Sequence, residues 1–506
     1  MGNKLSPVYT LKNECHDCYK CVRECYVKSI QIKDGSASVL ADRCIACGHC
    51  VTVCPSNAKR IRYDVDKVKG IFATGKKVVV SLAPSWISVF DYTKQQMITV
   101  LKALGFSDVS ETALGAQEVS IEVAKLIKES EKGLFISSAC PVIVDYIRYY
   151  KPEYAKYITP VASPALTHAK MLKEQYGEDI SVVFIGPCIA KKNESDKNSD
   201  LIDVALTFDE LNYWIKESYI DLAKIEVLPD EDFVPNSANE GALYPVLGGM
   251  NETLKFAGIE KDVQLLDICT LHSLDKALNG LHPERLEEKI FLEALGCDGG
   301  CINGPGISMC KSTILKTSDV LNNFKKRESI PATPKTVVEM DYSAIDIKKR
   351  EFKHEEIMKT MERIGKHNEE DELNCGGCGF QTCRELACAI LAGEAEPSMC
   401  VSYMRKIALR KAAAMLRCMP SAMVMIDNKN KILESNDAFM KMFTGEMYDV
   451  FSERPEGVNG ADIDRIIPFS DLLTTALKTG KDIHKEHYVV GNKLYDINTV
   501  SYTHLR

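Results

Sequence analysis

No stretch of eighteen consecutive apolar residues occurs in the sequence, so no membrane-spanning helix is expected. The best window, Val78 to Phe90, is short and broken by Ser81, Pro84 and Ser85. Positive charge is not in excess either. Lys and Arg number 63 against 71 Asp and Glu, a net charge of −8, which argues against a nucleic-acid-binding surface. The opening residues MGNKLSPVYT lack the apolar segment of a secretory signal, and export is not expected. Gly2 followed by Ser6 fits the loose myristoylation pattern, a match read as chance. Hydrophobic content of 45% and charged content of 26% are ordinary for a soluble globular protein. At 506 residues the chain is too long for one core, and three or four domains are expected.

Cysteine is abundant instead, with 20 residues gathered in closely spaced groups. With no export signal, such groups indicate metal ligands in a reducing cytoplasm rather than disulfides. Cys269, Cys310, Cys388 and Cys418 fall outside the groups and are expected to be ordinary small buried side chains. Residues 1–65 hold two near-copies of one run: Cys15-x2-Cys18-x2-Cys21-x3-Cys25 and Cys44-x2-Cys47-x2-Cys50-x3-Cys54-Pro55. This is the bacterial two-cluster ferredoxin pattern, in which the fourth cysteine of each run ligates the other cluster. One [4Fe–4S] cluster would then take Cys15, Cys18, Cys21 and Cys54, the other Cys44, Cys47, Cys50 and Cys25. Tyr26 stands where proline usually follows the first run. Zinc is the alternative, but it favours paired C-x2-C units.

From about 75 to 335, apolar runs alternate with helical stretches, as in Lys77–Leu82, Gly133–Ile136, Ser181–Ile185 and Lys289–Leu295. Such alternation predicts parallel α/β sheets with binding loops at the strand ends. Three cysteine peptides begin at the ends of these runs: Ser138-Ala139-Cys140-Pro141, Gly186-Pro187-Cys188-Ile189-Ala190-Lys191-Lys192, and Leu295-Gly296-Cys297-Asp298-Gly299-Gly300-Cys301. They resemble the three signature peptides of the H-cluster domain of [FeFe]-hydrogenases. The resemblance implies that Cys140, Cys188, Cys297 and Cys301 hold a [4Fe–4S] cube. It further implies that Cys301 bridges to a two-iron unit carrying CO, cyanide and a dithiolate amine. Lys191 would hydrogen-bond one cyanide, and Ser85, in the matching loop Ala83-Pro84-Ser85, would meet the other.

The same resemblance exposes departures. The family usually has a proton-relaying cysteine directly before the first ligand, and here the position is Ala139. Aligning Gly115-Ala116-Gln117 with the family's Gly-Ala-Asp puts Val123 and Leu126 where two relay glutamates stand, and a relay serine becomes Thr159. Glu118 and Glu122 are close in sequence but face other sides of a helix. Gly186 and Leu295 replace methionines that pack on the irons, and Ala165 replaces a glutamine.

Residues 336–372 are charged and helical, read as a solvated linker helix. Cys375, Cys378, Cys383 and Cys400 follow with x2, x4, x16 spacing and look like a small [4Fe–4S] module, with zinc as the alternative. Val401 to Met419 reads as one helix, packed on its own domain or pairing across a homodimer. From Pro420 a strand, a turn at Asp427–Asn430, a second strand and a short helix resemble the start of a PAS sensor domain, with Asn436 at a recurrent asparagine. Asp482–Val490 and Lys493–Val500 read as a hairpin turning at Gly491-Asn492. A final strand is expected beyond it. The closing SYTHLR resembles translated adaptor DNA, so an effector domain is expected to continue the natural chain.

The expected fold class is an α/β multidomain chain. It comprises a two-cluster ferredoxin-like module (1–65), an α/β H-cluster domain (66–340), a helical linker with the four-Cys module (341–405), and a signalling helix with a partial α+β PAS-like domain (406–506). The expected activity is a sensory hydrogenase of low turnover, acting on H2 and protons and passing redox state to a downstream effector. A catalytic hydrogenase exchanging electrons with a ferredoxin-type carrier is the second reading. An iron–sulfur carrier or assembly protein is the third.

Overall fold

The computed structural model describes residues 6–221, 227–259, 262–308, 311–347, 350–445 and 458–500. Gly2, Cys310 and the tail 501–506 lie outside the described residues. The chain divides into two units, Met1–Met399 and Cys400–Arg506.

The first unit begins with two small antiparallel ribbons. Strand β1 (Val8–Thr10) pairs with β4 (Lys59–Ile61), and β2 (Ile30–Lys33) pairs with β3 (Ser36–Val39). Each cysteine run is followed through a short helix, Lys20–Glu24 or His49–Thr52. Two parallel sheets come next. One has the order β6 (Asp108–Glu111), β5 (Val78–Leu82), β8 (Ser181–Gly186), β9 (Val204–Thr207). The other has the order β10 (Val263–Cys269), β11 (Lys289–Leu295), β7 (Gly133–Ile136). Every residue of β5 and β8 is buried, as expected of Val/Ile-rich parallel strands covered on both faces. The carboxyl ends of β5, β7, β8 and β11 carry the Ala83 loop and the three cysteine peptides, at the edge where parallel sheets bind ligands.

Arg62 and Asp64 tie the start of the chain to the central sheets. Arg62 Nη1 lies 2.6 Å from Asp196, and the fully buried Lys192 ammonium donates to Asp64 and Glu210, both at 2.9 Å. Tyr26, in the usual proline position, packs edge-on to Tyr146 with ring centroids 5.8 Å apart.

The segment expected as a solvated linker departs from that reading. Ala162 N donates to Val338 O, Met340 N to Pro160 O and Ile345 N to Arg148 O, so its first part is laid along the central domain. The helix is limited to His354–Arg363 and buries Thr360 and Met361. Its charges had masked a narrow apolar face. The leftover cysteines also differ from expectation: Cys269 and Cys388 are half-buried and Cys418 is exposed.

In the second unit a helix spans Val401–Cys418 and buries none of its residues. Strands Val424–Ile426 and Ile432–Ser435 pair, helix Asp437–Phe443 follows, and Ile483–Val490 pairs with Lys493–Thr499. Ile432, Phe439, Ile463, Ile467 and Phe469 form its core. Asn436 pins the start of helix Asp437–Phe443. Its Oδ1 accepts from Phe439 N and Met423 N, each at 2.9 Å, and its Nδ2 donates to Ser421 O at 2.8 Å. Among the described residues no helix is long and apolar enough to cross a membrane.

Candidate metal centre

Cys140 caps the amino end of helix Pro141–Tyr150, and Pro141 occupies the first helical position, where a missing N–H costs nothing. That placement puts Cys140 at the positive end of the helix dipole. Gly296 N adds a contact to Cys140 Sγ at 3.4 Å. Cys188 precedes helix Ala190–Lys197, whose first amides approach its sulfur. Cys301 enters after Gly300 at φ +100°, where a Cβ would stand 2.5 Å from Pro245 O, so only glycine permits the turn.

The four cysteines converge on one cavity of about 880 Å³, counting its mouth. Pro84, Ser85, Ala139 and Lys191 line the same cavity, and so do Ala165 and Leu295. Burial and the charge of Cys140 push the Cys188 thiol up to about 11. Burial and the neighbouring thiols drive Cys297 and Cys301 up as well. Such clustered sulfurs ionise readily only against a cationic metal group. The Ser85 hydroxyl is buried and has no hydrogen-bond partner among the described residues, as a wall waiting for a polar ligand would have. Lys191 donates to Ser163 at 2.8 Å and to Glu194 at 2.6 Å. An ammonium has three donors, so one N–H is left for the cavity. These features fit a large anionic iron–sulfur group.

On the other side of Ala139 the lining turns apolar. Ala139 and Leu126 pack against a buried cluster that includes Val119, Val123, Val161 and Phe291. Thr159 is buried, with its hydroxyl 3.2 Å from that of Ser138. Glu118 accepts from Lys335 N at 2.5 Å, and Glu122 pairs with Lys125 at 3.7 Å, so both are engaged elsewhere.

Among the lining residues that sequence reasoning missed are Phe184, Tyr244, Met250 and Glu293. Glu293 is the chemically notable one. One carboxylate oxygen accepts from Asn251 N at 2.9 Å, and the other has no partner among the described residues. Burial pushes its pKa up to about 7, suited to proton transfer near neutrality. The Tyr244 hydroxyl, on the same cavity, lies 2.8 Å from Ser120, which lies 2.7 Å from Thr253. The signal was available: Glu293 is the one acid inside the apolar run KIFLEAL.

The amino-terminal cysteines sort into two sets. Cys15, Cys18, Cys21 and Cys54 ring a cavity of about 350 Å³. Cys25, Cys44, Cys47 and Cys50 form the second set, in which Cys50 and Cys47 feel the charges of the other thiols. The buried Lys59 stands between the sets, acting on Cys21 of one and on Cys44 and Cys50 of the other. Cys47 in turn lies near enough to Cys297 to raise it. Cys378 and Cys383 are buried and Cys375 exposed in the first unit; Cys400 opens the second. Among the described residues no three ligating side chains converge tightly enough for a single metal ion.

Residues 76–305 match the iron only hydrogenase large subunit, C-terminal domain. Residues 7–64 match a 4Fe-4S dicluster domain, and 371–402 match an Fe-S cluster family. The chain is 28% identical over 334 residues to the NADP-reducing hydrogenase subunit HndD of Solidesulfovibrio fructosivorans, covering 53% of this chain and 56% of that one. It is 24% identical over 299 residues to iron hydrogenase 1 of Clostridium pasteurianum, covering 48% and 52%. It thus spans about half the length of these curated relatives. Among solved structures it is similar to a variant of [FeFe]-hydrogenase HydA1 from Chlamydomonas reinhardtii, at 19% identity and a TM-score of 0.44, over 56% of this chain and 100% of that one. Residues 76–305 thus form a domain of the iron only hydrogenase large-subunit type.

Proposed function

We propose that this chain is a sensory hydrogenase. It binds or slowly and reversibly oxidises H2 at an H-cluster, and its redox state passes through iron–sulfur clusters toward a PAS-like output region. The observation that carries the reading is the contrast within one cavity. Four cysteines, Lys191 and Ser85 line one cavity, whereas Ala139 on its wall packs with Val123 and Leu126 in an aliphatic cluster.

In this reading Cys140, Cys188, Cys297 and Cys301 would hold the cube, and Cys301 would also help to hold the two-iron unit. Lys191 and Ser85 orient the anionic ligands of the two-iron unit. That unit supplies heterolytic splitting of H2 when bound. The chain's task is then to move a proton and conduct electrons. A methyl at Ala139 can neither donate nor accept, so proton movement falls to Glu293, with Tyr244, Ser120 and Thr253 as neighbouring hydroxyls. Glu293 also favours the second reading, a working hydrogenase with its own proton route and a ferredoxin-type carrier. Residues 406–506 act as the signalling helix and PAS-like part, the latter supported by the Asn436 pin and the terminal hairpin.

Infrared spectroscopy of the matured protein tests the assignment. CO and cyanide bands are expected, and their absence would make it an iron–sulfur carrier instead. Hydrogen evolution at the rate of ordinary family members would overturn the sensory role in favour of the catalytic one.

A further inference from the structure

The segment carrying Cys375, Cys378 and Cys383 is seated on the ferredoxin-like part at close quarters. Gly379, at φ +95°, lies over the Val22–Arg23 peptide, where a Cβ would come within 3.1 Å of Arg23 N. Any side chain there would push the Cys378 loop away. Arg43 holds Glu394 with two guanidinium nitrogens, one at 3.3 Å, and Ile32 N donates to Glu394 O at 2.8 Å. The hydroxyls of Tyr19 and Ser398 meet at 3.4 Å.

A cation sits in this seam. The Lys28 ammonium donates to Val22 O at 3.3 Å and to Arg23 O at 3.0 Å, which fixes it at the end of helix Lys20–Glu24. It thus meets the Cys378 loop on a shared stretch of backbone, since Gly379 lies over the same Val22–Arg23 peptide, and its charge acts on both Cys25 and Cys378. The same cysteine set also abuts the hydrogen site: Cys47 packs against the apolar cluster that Cys140, Cys188 and Cys301 share, and a Cβ on the adjoining Gly48 would stand 2.6 Å from Ile189, next to Cys188. Cys18 of the other amino-terminal set is exposed to solvent.

We propose that the Cys25/Cys44/Cys47/Cys50 site is a branch point, joined through Cys47 to the hydrogen site and through Lys28 to the Cys378 module. The inference rests on the hydrogenase reading and specifies its regulation. Each H2 oxidised releases two protons and two electrons, and each cube accepts a single electron. One electron can therefore be held by the Cys378 module while the other leaves past Cys18 to a one-electron ferredoxin-type carrier; both protons go to water. Lys28 is a positioning residue. Its charge favours the more negative, reduced form of the sites on both of its sides.

Full-length protein loaded with iron and sulfide tests this in a dithionite-poised redox titration followed by electron paramagnetic resonance. The signal of the far module is identified as the one lost in Cys375→Ser. Lys28→Met is expected to shift that signal and the Cys25-site signal together to lower potential, with Lys28→Arg restoring both. A shift in only one signal, or in neither, overturns the proposal. As a second measurement, Arg43→Gln is expected to loosen the seam and weaken the spin–spin interaction between the two reduced sites. An interaction that is absent in the parent protein, or unchanged in the variant, also overturns it. Because the reductant is chemical, failure here is separate from failure of the hydrogenase reading, which the infrared bands decide.

Discussion

The two sides of the central cavity were built by the same kind of element, loops at the ends of parallel strands and the helices behind them, yet they differ in chemistry. One side brings Cys140, Cys188, Cys297 and Cys301 together with Lys191 and a Ser85 hydroxyl that is unpartnered among the described residues. The other continues from Ala139 into Val123, Val161 and Phe291. On the proposed reading, holding a cluster and feeding it protons are separable properties of this fold. Cluster binding needs charge-matched ligands at fixed positions, whereas proton transfer needs an unbroken chain of groups that donate and accept. Replacing a link with an aliphatic side chain costs nothing in packing and removes the transfer.

The comparison can be broken most directly from the ligand side. Cys301→Ser should abolish H2 conversion and the CO and cyanide bands, whereas Cys15→Ser should leave those bands and remove one iron–sulfur signal. If Cys301→Ser keeps the bands, the ligand side is misassigned. On the proton side, Glu293→Gln should lower turnover by roughly 10²-fold or more, the usual range for a lost general acid–base group. The bands should remain, and the limb of the pH–rate profile near 7 should disappear. An unchanged profile would mean that protons travel elsewhere.

The brace behind the ligand side is testable through stability. Lys192→Met removes the cation between Asp64 and Glu210; Arg62 and Lys67 still hold Asp64, but the buried Glu210 carboxylate loses its cation, which should lower unfolding free energy by about 3–5 kcal/mol in chemical denaturation. A smaller prediction sharpens the contrast: Ala139→Cys alone should change H2 turnover by less than roughly threefold, well below a full acid–base contribution, because Val123 and Leu126 still follow it. A large gain would show that one thiol suffices. The last concerns pH and stability. The Glu293 carboxyl is raised from 4.5 to about 7, so its contribution is fully present below 4.5 and is lost as pH rises through 7. Denaturation of the Glu293→Gln variant should therefore show a flatter decline across that window.

Much of the site was legible in the sequence because cluster ligands are specified by spacing. The ferredoxin-like runs and the three cysteine peptides each carry their ligands within a few residues of a strand end or helix start, where local geometry follows from Pro141, Gly299 and Gly300. The pairing of Cys54 with the first run and Cys25 with the second also followed from the pattern. The charged stretch after residue 336 was less legible. Its charges suggested solvent, but backbone hydrogen bonds to the central domain and the buried Met361 come from partners distant in sequence.

By itself, then, the sequence determined how many cysteine sets there are, which strand ends they follow, and that Ala139 cannot relay a proton. Only the tertiary structure decided that Glu293 faces the same cavity, that Val123 and Ala139 belong to one apolar cluster, and that Lys28 and the Cys378 loop meet on the Val22–Arg23 peptide. The reason is physical. Ligand spacing and side-chain chemistry are local properties, but burial, a raised carboxyl pKa and the meeting of charges across a seam depend on which distant segments pack together.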